Sequence, residues 1–413
     1  MSKYENTDKV IPIAKDNVSI SFNKEKCIQC GKCKDVCSEE ITVGKMYDLK
    51  KTNDNPVCIN CGECIRFCPT QAINEKTQYK QLKEIVKNPE KIIVVSIEKD
   101  ESKLLAEQLK TKITPEKMVA ILEKLGVKYV TNLQFGEDMA TIEEAAELTK
   151  KLKEKPKQLI YFSSWCPAWV KYVEIFYPEF IQNISTVKSP IAIQGRTIKT
   201  YFAKKMYIEQ KNLVHVVISP CIAKKYEINR AEFEVNGIKD TDYALTTKEL
   251  VDWIKEENIP IHNLQEKPFT EISNQPNCIE TSEKVNKERW QNLLETIYYN
   301  IINQDPPKDF TKIKEKTIQL QEQSIEIYNM QEIHQAKQIL DEIKQEKNML
   351  NAYMQVKACS NRCYQSKNQL SYLNYDVLNV YSNFYGEPLG EKANQMLHTK
   401  YENKSYFLGY NRK

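Results

Sequence analysis

Residues 27–68 hold eight cysteines in two runs of one spacing, Cys27-x2-Cys30-x2-Cys33-x3-Cys37 and then Cys58-x2-Cys61-x2-Cys64-x3-Cys68, the second followed by Pro69. Such short spacings let consecutive thiolates converge on one inorganic cube. In a duplication of this form the first three cysteines of a run wrap one 4Fe-4S cluster and the fourth serves the other. The spacing therefore assigns Cys27, Cys30, Cys33 and Cys68 to one cluster and Cys37, Cys58, Cys61 and Cys64 to a second. Gly31 and Gly62 follow the second cysteine of each run, where backbone must approach sulfide closely. Two zinc knuckles would need two independent tetrahedral sets and give no reason for the repeat. Ser38 replaces the proline expected after the fourth cysteine of the first run, a change beside a ligand rather than of one.

The start MSKYENTDKV has no signal-peptide pattern, and no long uncharged apolar run follows, so a cytoplasmic protein with no membrane partner is expected. In a reducing compartment the 13 cysteines are metal ligands or free thiols rather than disulfides. Sixty basic against 56 acidic residues, with no Lys/Arg block, argue against a nucleic-acid partner. The 413 residues suffice for a small domain and a large one. We place the small α+β ferredoxin-type domain at residues 1–80 and the larger one at 81–413.

From about Gln81 short β-rich apolar runs alternate with amphipathic helices, which predicts α/β layers with parallel strands. Ile92 to Val95 reads as a buried strand. Thr114 caps a helix with Pro115 at its first position and Gly126 past its end, and Tyr129 begins the next strand, completing a β-α-β crossover. Leu159 to Phe162 leads into Cys166, Val214 to Ile218 into Cys221, and Tyr353 to Val356 into Cys359 and Cys363. Ligands bind outside the carboxyl ends of strands in open α/β sheets. These loops are thus placed to bring four thiolates together, although buried cysteines also serve as small hydrophobes.

From about residue 85 to the C-terminus the chain resembles the iron-only (FeFe) hydrogenases, whose catalytic domain carries loops of the forms TSCCPGW, MPCxxKxxE and MACxGGCxxGGG. The matching segments are residues 163–169 (SSWCPAW), 219–227 (SPCIAKKYE) and 357–363 (KACSNRC). Further similarities are Phe135-Gly136 before Glu143-Glu144, Lys188-Ser189-Pro190, residues 386–390 (GEPLG) and His398-Thr399. The resemblance implies a large domain of two α/β lobes. It also implies a third 4Fe-4S cluster on Cys166, Cys221, Cys359 and Cys363, the last bridging in that family to a two-iron unit that carries carbon monoxide and cyanide.

The surroundings of that two-iron unit depart from the family. Trp165 stands where the family has its proton-exchanging cysteine, and an indole N–H only donates. Ser219 and Lys357 replace two methionines, and Ser96-Ile97-Glu98-Lys99 replaces an apolar turn. The glycines after the last cysteine become residues 364–367 (YQSK), and a glycine-rich turn is replaced by Ser273 to Lys284. Charges in a dry cavity are costly unless paired, so Glu98, Lys99 and Lys357 predict a pocket that is wet, filled or self-paired, for instance by Glu98 with Lys357. Lys224, Glu227, Glu144, Glu147 and Ser185 persist where the family has a cyanide-contacting lysine and a proton relay. Lys224 and Glu227 are the candidate catalytic residues, and surface salt bridging explains these charged survivors nearly as well.

The expectation is a hydrogenase-like protein with three 4Fe-4S clusters that transfers or senses electrons, lacks the two-iron unit and hydrogen turnover, and works with a soluble redox protein such as a ferredoxin under anaerobic conditions. Alternatives are a slow or sensory hydrogenase, an iron–sulfur scaffold, and a reductase of a small substrate at the terminal cubane. Cys278 reads as a free thiol. His215, His262, His334 and His398 read as structural, Ile318 to Ile327 as a hairpin, and Gln331 to Met349 as a charged surface helix.

Overall fold

The computed structural model describes residues 11–14, 16–52, 55–154, 159–272, 286–287, 317–320, 323–330, 332–345, 352–359 and 368–369. Cys278, Cys363, His398 and the replaced glycine turns lie outside these residues.

The cysteine-rich module is a short antiparallel pair, Ile20–Phe22 with Ile73–Glu75, enclosing helices Lys32–Glu39 and Glu63–Phe67. Gly31 and Gly62 precede these helices with φ of +80°, a conformation that costs glycine nothing. With eight thiols in so few residues the apolar core is small: Ile20, Val36 and Ile73 meet Ile222, which belongs to the large domain.

Two α/β lobes follow. In the first, four parallel strands lie in the order Tyr129–Asn132, Ile92–Ile97, Leu213–Ile218, Tyr243–Leu245. Both faces of the central strands are covered, so both sides are apolar: Ile93, Val95 and Ile97 join Val216 and Ile218 in one core, and Val94 joins Leu213 in another. The expected crossover forms, with the Thr114 hydroxyl accepting from Lys117 N at 3.0 Å, and it carries an additional helix, Glu101–Leu109.

The second lobe pairs Ile160–Phe162, Ala352–Val356 and Gln323–Met330 in parallel, with Thr317–Leu320 closing one edge as the antiparallel half of a hairpin. Helix Ile333–Lys344 turns Ile333, Ala336 and Leu340 into the core at helical spacing, so the expected charged helix has one buried face. Ile41, Val43 and Ile59 of the cysteine-rich module pack into this same core beside Trp169 and Tyr172.

The module is tied to the first lobe as well. Fully buried Lys225 donates to the Lys76 carbonyl at 2.6 Å and pairs with Glu249, and the Thr246 hydroxyl donates to Glu75 at 2.6 Å. Among the described residues no helix is long and apolar enough to cross a membrane.

Candidate metal centre

Several thiols of the small module feel one another's charge, and among the described residues no three Cys, His, Asp or Glu side chains already form a closed metal-ion site. Burial pushes Cys33 up to about 11, with Cys27 and Cys30 adding to the rise. Burial pushes Cys37 up to about 12, reinforced by Cys58 and Cys33, and raises Cys64, which feels Cys58 and Cys37. Cys61 is raised by burial and then by Cys359 of the large domain. Cys68 is lowered, because hydrogen bonds from the loop around Thr70 to Ile73 outweigh its slight burial.

Buried thiols that repel each other's charge hold their protons until a cation arrives, and metal binding then displaces those protons. The donor set therefore suits iron–sulfur cubes. The cradle suits them too: Asn17 Nδ2 and Asn60 N donate to Cys58 Sγ at 3.2 and 3.4 Å, the N–H···S contacts that accompany bound clusters.

In the large domain each expected cysteine follows the carboxyl end of a strand. Cys166 follows Ile160–Phe162 and caps helix Pro167–Phe176, Cys221 follows Leu213–Ile218, and Cys359 follows Ala352–Val356. Two lobes thus supply the three thiols. Burial raises Cys166, whose sulfur is held by backbone N–H groups of Trp169 and Ala358, the latter adjacent to Cys359. Cys166 and Cys221 line one pocket. Of the four expected ligands only Cys363 lies outside the described residues.

The rest of that pocket includes Glu98, Trp165, Glu137, Leu133 and Lys224. Lys224 Nζ lies 2.7 Å from Glu227 Oε2 and donates to the Trp165 carbonyl at 3.1 Å. Surface salt bridging is therefore not the explanation for Lys224 and Glu227: the two side chains are 8% and 1% exposed. Burial works against the Lys224 charge, but Glu227, Cys221 and Glu98 outweigh it and hold its proton affinity above that of a free lysine. Glu98 is pushed up to about 7 by burial, opposed by Lys224 and by a hydrogen bond from Ser219. The cation whose charge Glu98 feels is thus Lys224, itself paired with Glu227, rather than Lys357. Lys357 is buried, its backbone N bonded to the Met330 carbonyl at 2.9 Å, and Lys99 is half-buried near Glu137.

Glu144 and Glu147 lie on helix Gln134–Glu154, one turn apart. Glu144 accepts from Ser163 at 3.3 Å, and Glu147 accepts from Ser185 and Tyr161 at 2.9 Å each and pairs with Lys151. His215 is fully buried between Ser96 and Thr241 and its proton affinity falls to about 3 through burial and Lys199, which makes it a neutral structural residue. Sequence reasoning missed Asn17, Asn60, Lys171 and Glu137. Asn60 occupies a variable position of the Cys58-x2-Cys61 run, Asn17, Lys171 and Glu137 belong to no motif, and Lys171 sits five residues beyond Cys166 with no spacing that marks it.

The family described as "Iron only hydrogenase large subunit, C-terminal domain" matches residues 91–366, "4Fe-4S dicluster domain" matches 19–69, and "Iron hydrogenase small subunit" matches 355–404. Among curated relatives, the NADP-reducing hydrogenase subunit HndD of Solidesulfovibrio fructosivorans is 33% identical over 61% of this chain and 47% of its own length. Iron hydrogenase 1 of Clostridium pasteurianum is 26% identical over 96% of this chain and 78% of its own. The cytosolic Fe-S cluster assembly factor narfl of Xenopus tropicalis is 29% identical over 51% and 48%. The chain thus spans about half the length of two of these relatives. A variant of apo [FeFe]-hydrogenase HydA1 from Chlamydomonas reinhardtii superposes with a TM-score of 0.61 at 21% identity, over 78% of this chain and 98% of that one, which shows the shared fold. With the family match covering well over half of its residues, the chain belongs to the iron-only hydrogenase family, through the C-terminal domain of the large subunit, here joined to a 4Fe-4S dicluster domain.

Proposed function

We propose that this is a hydrogenase-like electron-transfer or redox-sensing protein with three 4Fe-4S clusters, on Cys27/Cys30/Cys33/Cys68, on Cys37/Cys58/Cys61/Cys64 and on Cys166/Cys221/Cys359/Cys363, without the two-iron unit. Bound cubes supply one-electron relays. The protein's own residues do the rest. Cys30 is exposed, as are the neighbouring Ile28 and Phe22 and the cations Lys24, Lys26, Lys32 and Lys34, a surface suited to an acidic soluble redox protein. The module's packing leaves Cys61 within electrostatic range of Cys359, which supports an inward path for the electron.

The observation that carries the proposal is the lining of the pocket. Glu98 and Trp165 line it beside Cys166 and Cys221, which supports a pocket without the apolar wall and the proton-exchanging cysteine that the resemblance implies around a two-iron unit. The indole N–H at residue 165 donates but does not accept, so it relays no proton at neutral pH.

Anaerobically reconstituted protein is expected to hold about twelve iron atoms per chain. After co-expression with hydrogenase maturation proteins it should show no carbon monoxide or cyanide infrared bands. Their appearance, with hydrogen oxidation by a dye acceptor, would instead establish a slow or sensory hydrogenase with a different proton route, through Glu227 or water. The resemblance to a cluster-assembly factor favours a second reading, a scaffold, which transfer of iron–sulfur to an apo-protein would reveal.

A further inference from the structure

Of the thiols proposed to hold the second cube, Cys58 is linked by a chain of hydrogen bonds to one cation of the large domain. Lys171, half-buried on helix Pro167–Phe176, donates from Nζ to Asn60 Oδ1 at 2.7 Å. Asn60 is 1% exposed and donates from Nδ2 to Asn17 Oδ1 at 3.0 Å, and Asn17 Nδ2 donates to Cys58 Sγ at 3.2 Å. Asn60 N is a second donor to the same sulfur, at 3.4 Å. Asn60 holds this position with φ of +64°, a left-handed conformation that asparagine tolerates better than most residues. The ammonium is held from its other side by the Tyr226 ring, 4.3 Å from Nζ to the centroid.

We propose that Lys171 is a positioning residue for electron transfer, which through Asn60 and Asn17 raises the reduction potential of the second cube and makes it the preferred stop for an electron arriving from the exposed one. Reduction adds one electron, delivered by the partner protein, and therefore one negative charge to the cube. A nearby cation and aligned N–H···S donors stabilise that added charge more than the oxidised state. The geometry polarises in one sense: Lys171 withdraws density from Asn60 Oδ1, and both asparagine side chains point their N–H groups down the chain toward sulfur. Asp16 and Glu174 oppose Lys171 and Arg230 adds to it, so the side chain sits in a mixed field and its contact with Asn60 gives it a defined direction. At the exposed cluster, Cys68 is instead held by hydrogen bonds of its own loop, from Thr70 to Ile73.

The inference rests on the cluster assignment proposed above. The test is an anaerobic redox titration of the full-length loaded protein, following the reduced-cluster EPR signals, for the wild type, Lys171→Met, Lys171→Gln, Lys171→Arg and Asn17→Ala. Lys171→Met and Lys171→Gln are expected to shift one reduction equilibrium at least tenfold toward the oxidised state, about 59 mV for a one-electron couple. Asn17→Ala should move that same couple in that direction, the other couples should stay, and Lys171→Arg, which keeps the charge, should stay close to the wild-type potential. Full iron content with unmoved potentials in both neutral variants overturns the inference. So does loss of iron from both, which would make Lys171 a structural prop. Failure of the underlying assignment reads differently, as a wild type without ferredoxin-type EPR signals.

Discussion

Ile222, the residue after Cys221, packs directly against the bare Cα of Gly62, the residue after Cys61. The loop offering a thiol to the terminal centre is thus keyed into the cysteine-rich module at the foot of its second helix, and the spacing of two candidate clusters depends on one absent methyl group.

Gly62→Ala would place that methyl in the Ile222 side chain and force alanine to φ of +80°, whereas at Gly31, with the same φ, no atom lies within 4 Å of the new Cβ. Both variants carry the conformational cost of about 1 kcal/mol. Gly62→Ala alone should also separate the two centres. It should therefore melt at a lower temperature than Gly31→Ala and slow reduction of the terminal cubane in freeze-quench EPR, while Gly31→Ala leaves that rate unchanged.

Lys224 and Glu227 form a buried pair, so truncating one partner strands the other. Lys224→Met should destabilise the protein by about 3–5 kcal/mol in anaerobic denaturant unfolding. Adding Glu227→Gln should recover part of that loss, since the orphaned charge goes with it.

Cys221→Ser should cost about four of about twelve iron atoms. The EPR signals of the small module should persist, because its eight thiols do not include residue 221.

Asp138 is buried, its Oδ1 bonded by Gln134 at 2.7 Å and its Oδ2 without a hydrogen-bond partner, and burial pushes its proton affinity up to about 7. A carboxyl that binds its proton more tightly folded than unfolded stabilises the protein at low pH. That contribution is lost as pH rises from about 4 through about 7. Asp138→Asn should therefore be more stable than the wild type at pH 8.5, by on the order of 4 kcal/mol, with the difference vanishing near pH 4. Unfolding curves at the two pH values check the sign.

The 4Fe-4S dicluster module, the crossover cap at Thr114 and the three cysteines past strand ends were all legible in the chain, since each depends on short-range spacing: cysteines within a few residues, a hydroxyl three residues from the N–H it accepts, a strand running into its loop. The two lobes and the family were legible through residues 163–169 and 219–227, whose order along the chain is preserved.

What surrounds those thiols was decided by tertiary structure. Glu98, expected beside Lys357, lies instead by Ser219 and Lys224, because the strands Ile92–Ile97 and Leu213–Ile218 are hydrogen-bonded neighbours and their ends must share the pocket. Lys171 reaches Asn60 across 111 residues, and Ile222 reaches Gly62 across a domain boundary. Such contacts carry no local signature, because the polar side chains that make them read in isolation as solvated surface. Only the docking of the module onto both lobes buries them, and burial is what turns an ordinary lysine or glutamate into an electrostatic neighbour of a cluster site.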